Sequence, residues 1–212
     1  MAPLSSKAAT DTFTLDTLYA GTSPGAATPW LSASITDVKP GTVLMSLTAN
    51  NLSGSEYVSS WDFNLSTALS ASSLNIVKTN LGSGTVNGTI VKGNNTINSG
   101  GAGNFDFGFD FATSGIGAFT DGDTLVFLIT GISGLNAASF NYLSQGGSFY
   151  TAATINGLTS ISRYCGSSST DGKVGDNTNN NPAPEPATMA IMGSFVALGV
   201  FLKKRNEKTV TA

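Results

Sequence analysis

Over roughly the first 160 residues apolar side chains recur at every second position. A pleated strand imposes that period, because successive side chains leave it on opposite faces. In "EYVSSWDFNLS", Tyr57, Ser59, Trp61, Phe63 and Leu65 share one face, and Val58, Ser60, Asp62, Asn64 and Ser66 the other, which predicts a half-buried strand. "NFDFGFDF" repeats the pattern, with Phe105, Phe107, Phe109 and Phe111 inward as a core wall and Asp106, Gly108 and Asp110 outward. "TVLMSLTANNL" sends Val43, Met45, Leu47 and Ala49 to one side, while "TLVFLITGI" is apolar on both faces and is expected to be a central, covered strand. "TFTLDTLY", "WLSASITDV", "LNIVKT" and "SFYTAATI" are weaker candidates, and "GTVNGTIVKGNNTINSG" suggests a long hairpin. Turn signals separate these runs: "KPG" at 39–41, "SGS" at 53–55, "GSG" at 82–84, "KGNN" at 92–95, "NSGGAGN" at 98–104 and "TDGD" at 120–123. Seven or eight strands without a soluble helix predict an all-β fold, an antiparallel β-sandwich with jelly-roll or Greek-key connections, over residues 11–165. Residues 1–10 are expected to be a disordered N-terminal remnant.

Residues 166–183, "GSSSTDGKVGDNTNNNPA", carry too few apolar groups to offset the entropy of ordering them, so a flexible linker is expected, with Asp171 and Asp176 as solvated charges. Residues 187–202, "ATMAIMGSFVALGVFL", contain no charge. As a helix they would span about 24 Å, short for a hydrocarbon core of about 30 Å, with the lysines beyond reaching the interface. One C-terminal transmembrane helix is therefore expected. Lys203, Lys204 and Arg205 act as a basic stop-transfer cluster that puts residues 206–212 in the cytoplasm and the sandwich outside.

Pro184, Glu185 and Pro186, the apolar segment and the basic cluster, in that order over residues 184–205, closely resemble the PEP-CTERM sorting signal of Gram-negative bacteria. The resemblance covers little more than a tenth of the chain. It implies transient anchoring in the inner membrane, recognition by an exosortase-type processing enzyme, cleavage near the motif, and delivery to the cell surface or extracellular matrix. Physically, the two prolines forbid helix and hold Glu185 in an extended segment that a membrane-embedded protease could take as a strand. Export also needs an N-terminal leader, and "MAPLSSKAATDTFTL" has no apolar run of the required length. The expectation is that Met1 is an internal or mis-assigned start.

Composition narrows the function. Charged residues are 11% of the 212-residue chain, against about 25% in ordinary globular proteins, so the surface is built from Ser, Thr, Asn and Gly, as suits an exported protein. Residues 1–183 hold six cations against eleven acids, a balance of −5 that argues against nucleic acid as a partner. Histidine is absent, which removes Ser-His-Asp and Cys-His catalysis and imidazole-based metal sites. Cys165 is the only cysteine, so no disulfide forms within the chain; an intermolecular bridge is the alternative to a bland semi-buried thiol. Paired carboxylates are the remaining catalytic option. Asp106 and Asp110 share a strand face but stand about 13 Å apart, and nothing in the sequence pairs Glu56 with a second acid.

Asp121 and Asp123 are weak candidates for calcium, with a turn into the next strand as the plainer reading. Trp30, Trp61, Tyr142 and Tyr150 could form a sugar-stacking platform, Trp61 being the one expected in the core and Trp30 the one expected to be exposed. The sequence thus points to a non-enzymatic surface or matrix protein, structural or adhesive and associated with extracellular polysaccharide, with no cofactor. A carbohydrate- or calcium-binding module, or less favourably a secreted hydrolase, is the alternative.

Overall fold

The computed structural model describes residues 8–83, 86–158 and 171–178. The strands are β1 Thr10–Leu15, β2 Thr17–Gly21, β3 Leu31–Lys39, β4 Thr42–Ala49, β5 Tyr57–Phe63, β6 Asn75–Lys78, β7 Gly88–Asn98, β8 Asn104–Phe111, β9 Thr124–Thr130, β10 Thr151–Asn156 and β11 Asp171–Asp176. They make two antiparallel sheets, one of five strands ordered β1-β3-β4-β9-β6 and one of six ordered β2-β11-β10-β5-β8-β7. The fold is an all-β sandwich. Hairpins within a sheet join β3 to β4, β7 to β8 and β10 to β11; at the other connections the chain crosses from one sheet to the other.

The core lies where the inner faces meet, and the two-residue period places it. Val43, Met45, Leu47 and Ala49 of β4 are all fully buried, as their spacing predicts. β9 is an interior strand of its sheet, with Leu125, Phe127 and Ile129 buried on the core side and Val126 buried on the other. Aromatic rings line the six-stranded side. Trp61 stacks on Phe63 at 5.7 Å, Phe63 on Phe107 at 5.6 Å, and Phe109 meets Phe127 of the facing sheet at 4.5 Å. Such pairs contribute about 0.5–1.5 kcal/mol each beyond burial.

Two irregularities correct the simple alternation. In β5, Thr154 pairs with Ser60 but Ile155 pairs with Val58, so Ser59 is an extra residue, a β-bulge. The bulge turns Val58 inward beside Trp61 and leaves Tyr57 and Ser59 off the core face, contrary to the uninterrupted stripe from 57 to 65. In β8, the ladder to β7 slips between Lys92 and Ile97. Asp106 stabilises the slip by accepting from the backbone N–H groups of Leu65 and Asn95, each at 2.8 Å. Phe105 consequently leaves the core wall. It packs instead with Ala102, Phe149 and Ala152 in a small second cluster, and only Phe107, Phe109 and Phe111 remain in the main core. The expected long hairpin is likewise corrected: residues 88–98 are one edge strand, and its partner is β8.

The expected linker contains a strand. β11 sits between β2 and β10, with Val174 fully buried. A Cβ on Gly172 would strike the Thr22 carbonyl, and one on Gly175 would meet the Phe149 ring at 2.5 Å, so these glycines let the strand fit beneath its neighbours. Asp176 is fully buried, not solvated, and accepts from the N–H groups of Thr14 and Thr178, each at 2.8 Å. Among the described residues no helix is long and apolar enough to cross a membrane. The expected helix at 187–202, the motif Pro184-Glu185-Pro186, the cluster Lys203-Lys204-Arg205 and Cys165 lie outside the described residues.

Candidate functional site on the outer face of the six-stranded sheet

Register assembles this site from strands far apart in sequence. Lys173, Thr154, Ser60, Asp110 and Thr89 stand side by side across β11, β10, β5, β8 and β7. Each step is about 4.8 Å, the spacing of hydrogen-bonded strands. On one side runs a row of small side chains interrupted by an acid: Gly175, Ala152, Asp62, Gly108 and Val91. On the other side Asp171, Asn156 and Tyr57 form a shorter row. Asp110 and Thr89 are exposed, and Lys173, Thr154 and Ser60 half-buried.

One end of the face is covered by the loop Ser99-Gly100-Gly101-Ala102-Gly103. Gly100, Gly101 and Gly103 have φ of 52, 106 and 99°, a region that other residues rarely adopt, so the run of glycine is what lets the loop lie flat on the sheet. The Tyr19 hydroxyl donates to the Ser99 carbonyl at 2.9 Å, and the Ser144 hydroxyl donates to the Ala102 carbonyl. The Ser99 hydroxyl donates to Asp62 Oδ2. Asp62 leans over Gly108, where any Cβ would collide with its Oδ1. It is 6% exposed.

Burial of Asp62 raises its pKa from 3.8 to about 6; the Ser99 hydrogen bond opposes the rise, Asp110 adds to it and Lys173 opposes it. Tyr19 is pushed upward by burial and then by the Asp62 charge. Asp62 and Asp110 are diagonal neighbours on adjacent strands, a relation that separates Cα atoms by about 7–8 Å. Because Ser99 and its loop cover Asp62, the two carboxyls do not face a common open space. The face presents a row of polar side chains, and Asp62 holds the loop at its end.

The residues singled out in the sequence scatter elsewhere. Asp121 accepts from the Leu52 N–H at 2.9 Å, and Asp123 from the Thr120 N–H at 2.8 Å, so both carboxylates fasten the turn into β9. Among the described residues no group of three or more His, Cys, Asp or Glu is placed to hold a metal. Trp30 is buried rather than exposed, at 5%, because its backbone links Leu15 to Asn50 and its indole N–H donates to the Ala26 carbonyl at 2.9 Å. Trp61 is in the core as expected. Tyr142 is 40% exposed, and Tyr150 packs against the core, so no aromatic platform forms from these four. Asp106 faces the backbone donors described above rather than sharing a surface with Asp110. Glu56 accepts from the N–H groups of Gly25 and Ser53, each at 2.8 Å.

Asp62, Ser99 and Lys173 were not legible as a group. The one trace in the sequence is Gly108 in "NFDFGFDF", a gap in a phenylalanine-rich strand, which the fold uses to seat Asp62. The fold and this face define a β-sandwich with a polar, loop-rimmed sheet surface. No family model, curated protein or solved structure matches the chain.

Proposed function

We propose that this chain is an exported, non-catalytic surface or matrix protein whose sandwich holds extracellular polysaccharide on the outer face of the six-stranded sheet. The observation that carries the reading is the row Lys173, Thr154, Ser60, Asp110 and Thr89. It offers a polar group at each strand spacing of about 4.8 Å, a scale similar to one sugar unit. The hydroxyls of Thr154, Ser60 and Thr89 exchange water for sugar hydroxyls at a much smaller desolvation cost than charges do. Tyr57, at the end of the neighbouring row, adds a ring face. Repeated crossings between the sheets favour a jelly-roll form of the sandwich.

The tail supplies the route. Pro184-Glu185-Pro186, the apolar segment and Lys203-Lys204-Arg205 support transient inner-membrane anchoring and release by an exosortase-type enzyme. The low charge of the chain agrees with a life outside the cytoplasm.

Affinity electrophoresis of the full chain through gels containing neutral or acidic polysaccharides tests the binding. Retardation is expected, and the double substitution Ser60→Ala, Thr154→Val, which removes the two hydroxyls without adding charge, is expected to weaken it by about tenfold, the equivalent of one or two hydrogen bonds, with the melting transition retained. Unretarded migration in every gel, or equal retardation of the variant, would overturn the reading.

A further inference from the structure

The two sheets end on the same side of the sandwich in β6 and β7, which do not pair with one another. Two lysines tie this open side together. Lys78 of β6 donates to the Val86 carbonyl at 2.7 Å, and Lys92 of β7 donates to the Leu74 carbonyl. Between the sheets here lies a cavity of about 80 Å³, lined by Val86, Ile90, Phe109, Phe111, Leu125 and Phe127, with Lys78 and Gly88 at its margin. No acid lines it. Gly88 packs closely on β8, since a Cβ there would press on Phe111 Cδ1 at 3.1 Å and the Asp110 carbonyl at 3.0 Å.

This cavity lies apart from the sheet face discussed above and does not depend on that reading. Its walls are apolar, so water inside finds almost no hydrogen-bond partners, and an alkyl group entering it gains dispersion contacts with three aromatic and three aliphatic side chains. A cavity needs on the order of 10–15 Å³ of such volume to hold one water-sized group, so about 80 Å³ has room for roughly five to eight such groups and suits a short alkyl chain. The Lys78 ammonium has three donors and gives one to Val86. The others are free to meet an anionic head at the entrance. In a chain of net charge −3, a lysine beside an acid-free apolar cavity selects for negative charge.

We propose that the cleft between β6 and β7 binds a free short-chain alkanoate, its alkyl chain in the apolar cavity beside the stacked rings of Phe109 and Phe127 and its carboxylate on Lys78. Calorimetric titration of the full chain with hexanoate, hexan-1-ol and acetate tests this. Saturable hexanoate binding is expected, with no binding of acetate, which lacks the chain. Lys78→Met is expected to weaken hexanoate about tenfold, the scale of one charge-assisted hydrogen bond, while hexan-1-ol changes less than about twofold. Ile90→Phe, which fills the cavity, is expected to abolish both; Val86→Phe serves if the first variant loses its cooperative melting transition. Absence of saturable hexanoate binding to the unmodified chain, or equal hexanoate affinity in Lys78→Met, would overturn the proposal.

Discussion

Replacing Asp62 by asparagine isolates the cost of burying a single carboxylate. The residue is 6% exposed, and burial lifts its pKa from 3.8 to about 6 against the opposing Ser99 hydrogen bond. Between those values the folded chain keeps a proton that the unfolded chain has released, so stability falls as pH rises. Because the folded pKa is the higher one, the favourable contribution is complete below the unfolded pKa and has been lost once pH passes the folded one. At about 1.36 kcal/mol per pH unit the gap amounts to about 3 kcal/mol. Asparagine cannot ionise, yet it keeps an oxygen to accept the Ser99 hydroxyl. Asp62→Asn is therefore expected to match the unmodified chain near pH 4 and to exceed it by about 3 kcal/mol near pH 8.

Urea unfolding at intervals between those limits measures the difference directly. Asp11 and Asp176, which burial also raises, tilt both curves alike and drop out of the comparison. Asp110 and Lys173, the charged neighbours that act on Asp62, are present in both chains. A difference that stays flat across the range, or that favours the unmodified chain near pH 8, would show that Asp62 is not a buried, destabilised carboxylate.

Two further outcomes are expected. Val174→Ala should cost about 2 kcal/mol in urea unfolding, because Val174 is fully buried in the core; a loss below about 0.5 kcal/mol, as for a surface site, would return residues 171–178 to the status of a linker. Glu185→Ala should leave the chain in the inner-membrane fraction at its unprocessed mass, since an exosortase-type enzyme would no longer meet its motif; unchanged processing would remove the sorting signal from the proposed route.

The alternation of apolar residues in β4 and β9 carried over into the fold because it needs only the pleat, a property of each strand alone. It misread β5 and β8 because a bulge is decided by the partner strand: Ser59 is extra only when β10 is counted against β5, and Phe105 changes sides only where β7 slips. The strand in "DGKVGD" escaped notice for a related reason. With one apolar side chain it has little to bury of its own, and its order comes from β2 and β10 on either side and from glycines that fit under Thr22 and Phe149. Trp30 read as exposed because a segment of Pro, Gly and Ala precedes it, whereas its burial depends on backbone bonds to Leu15 and Asn50.

By itself the sequence determined the class of fold, the strands with strong alternation and the order of motifs in the C-terminal tail, since all of these are local. Tertiary structure alone decided the polar row, the Asp62–Ser99 contact and the cavity between β6 and β7. Each brings together side chains separated by tens of residues, and their proximity is set by strand order and register, which leave no mark on any one stretch of chain.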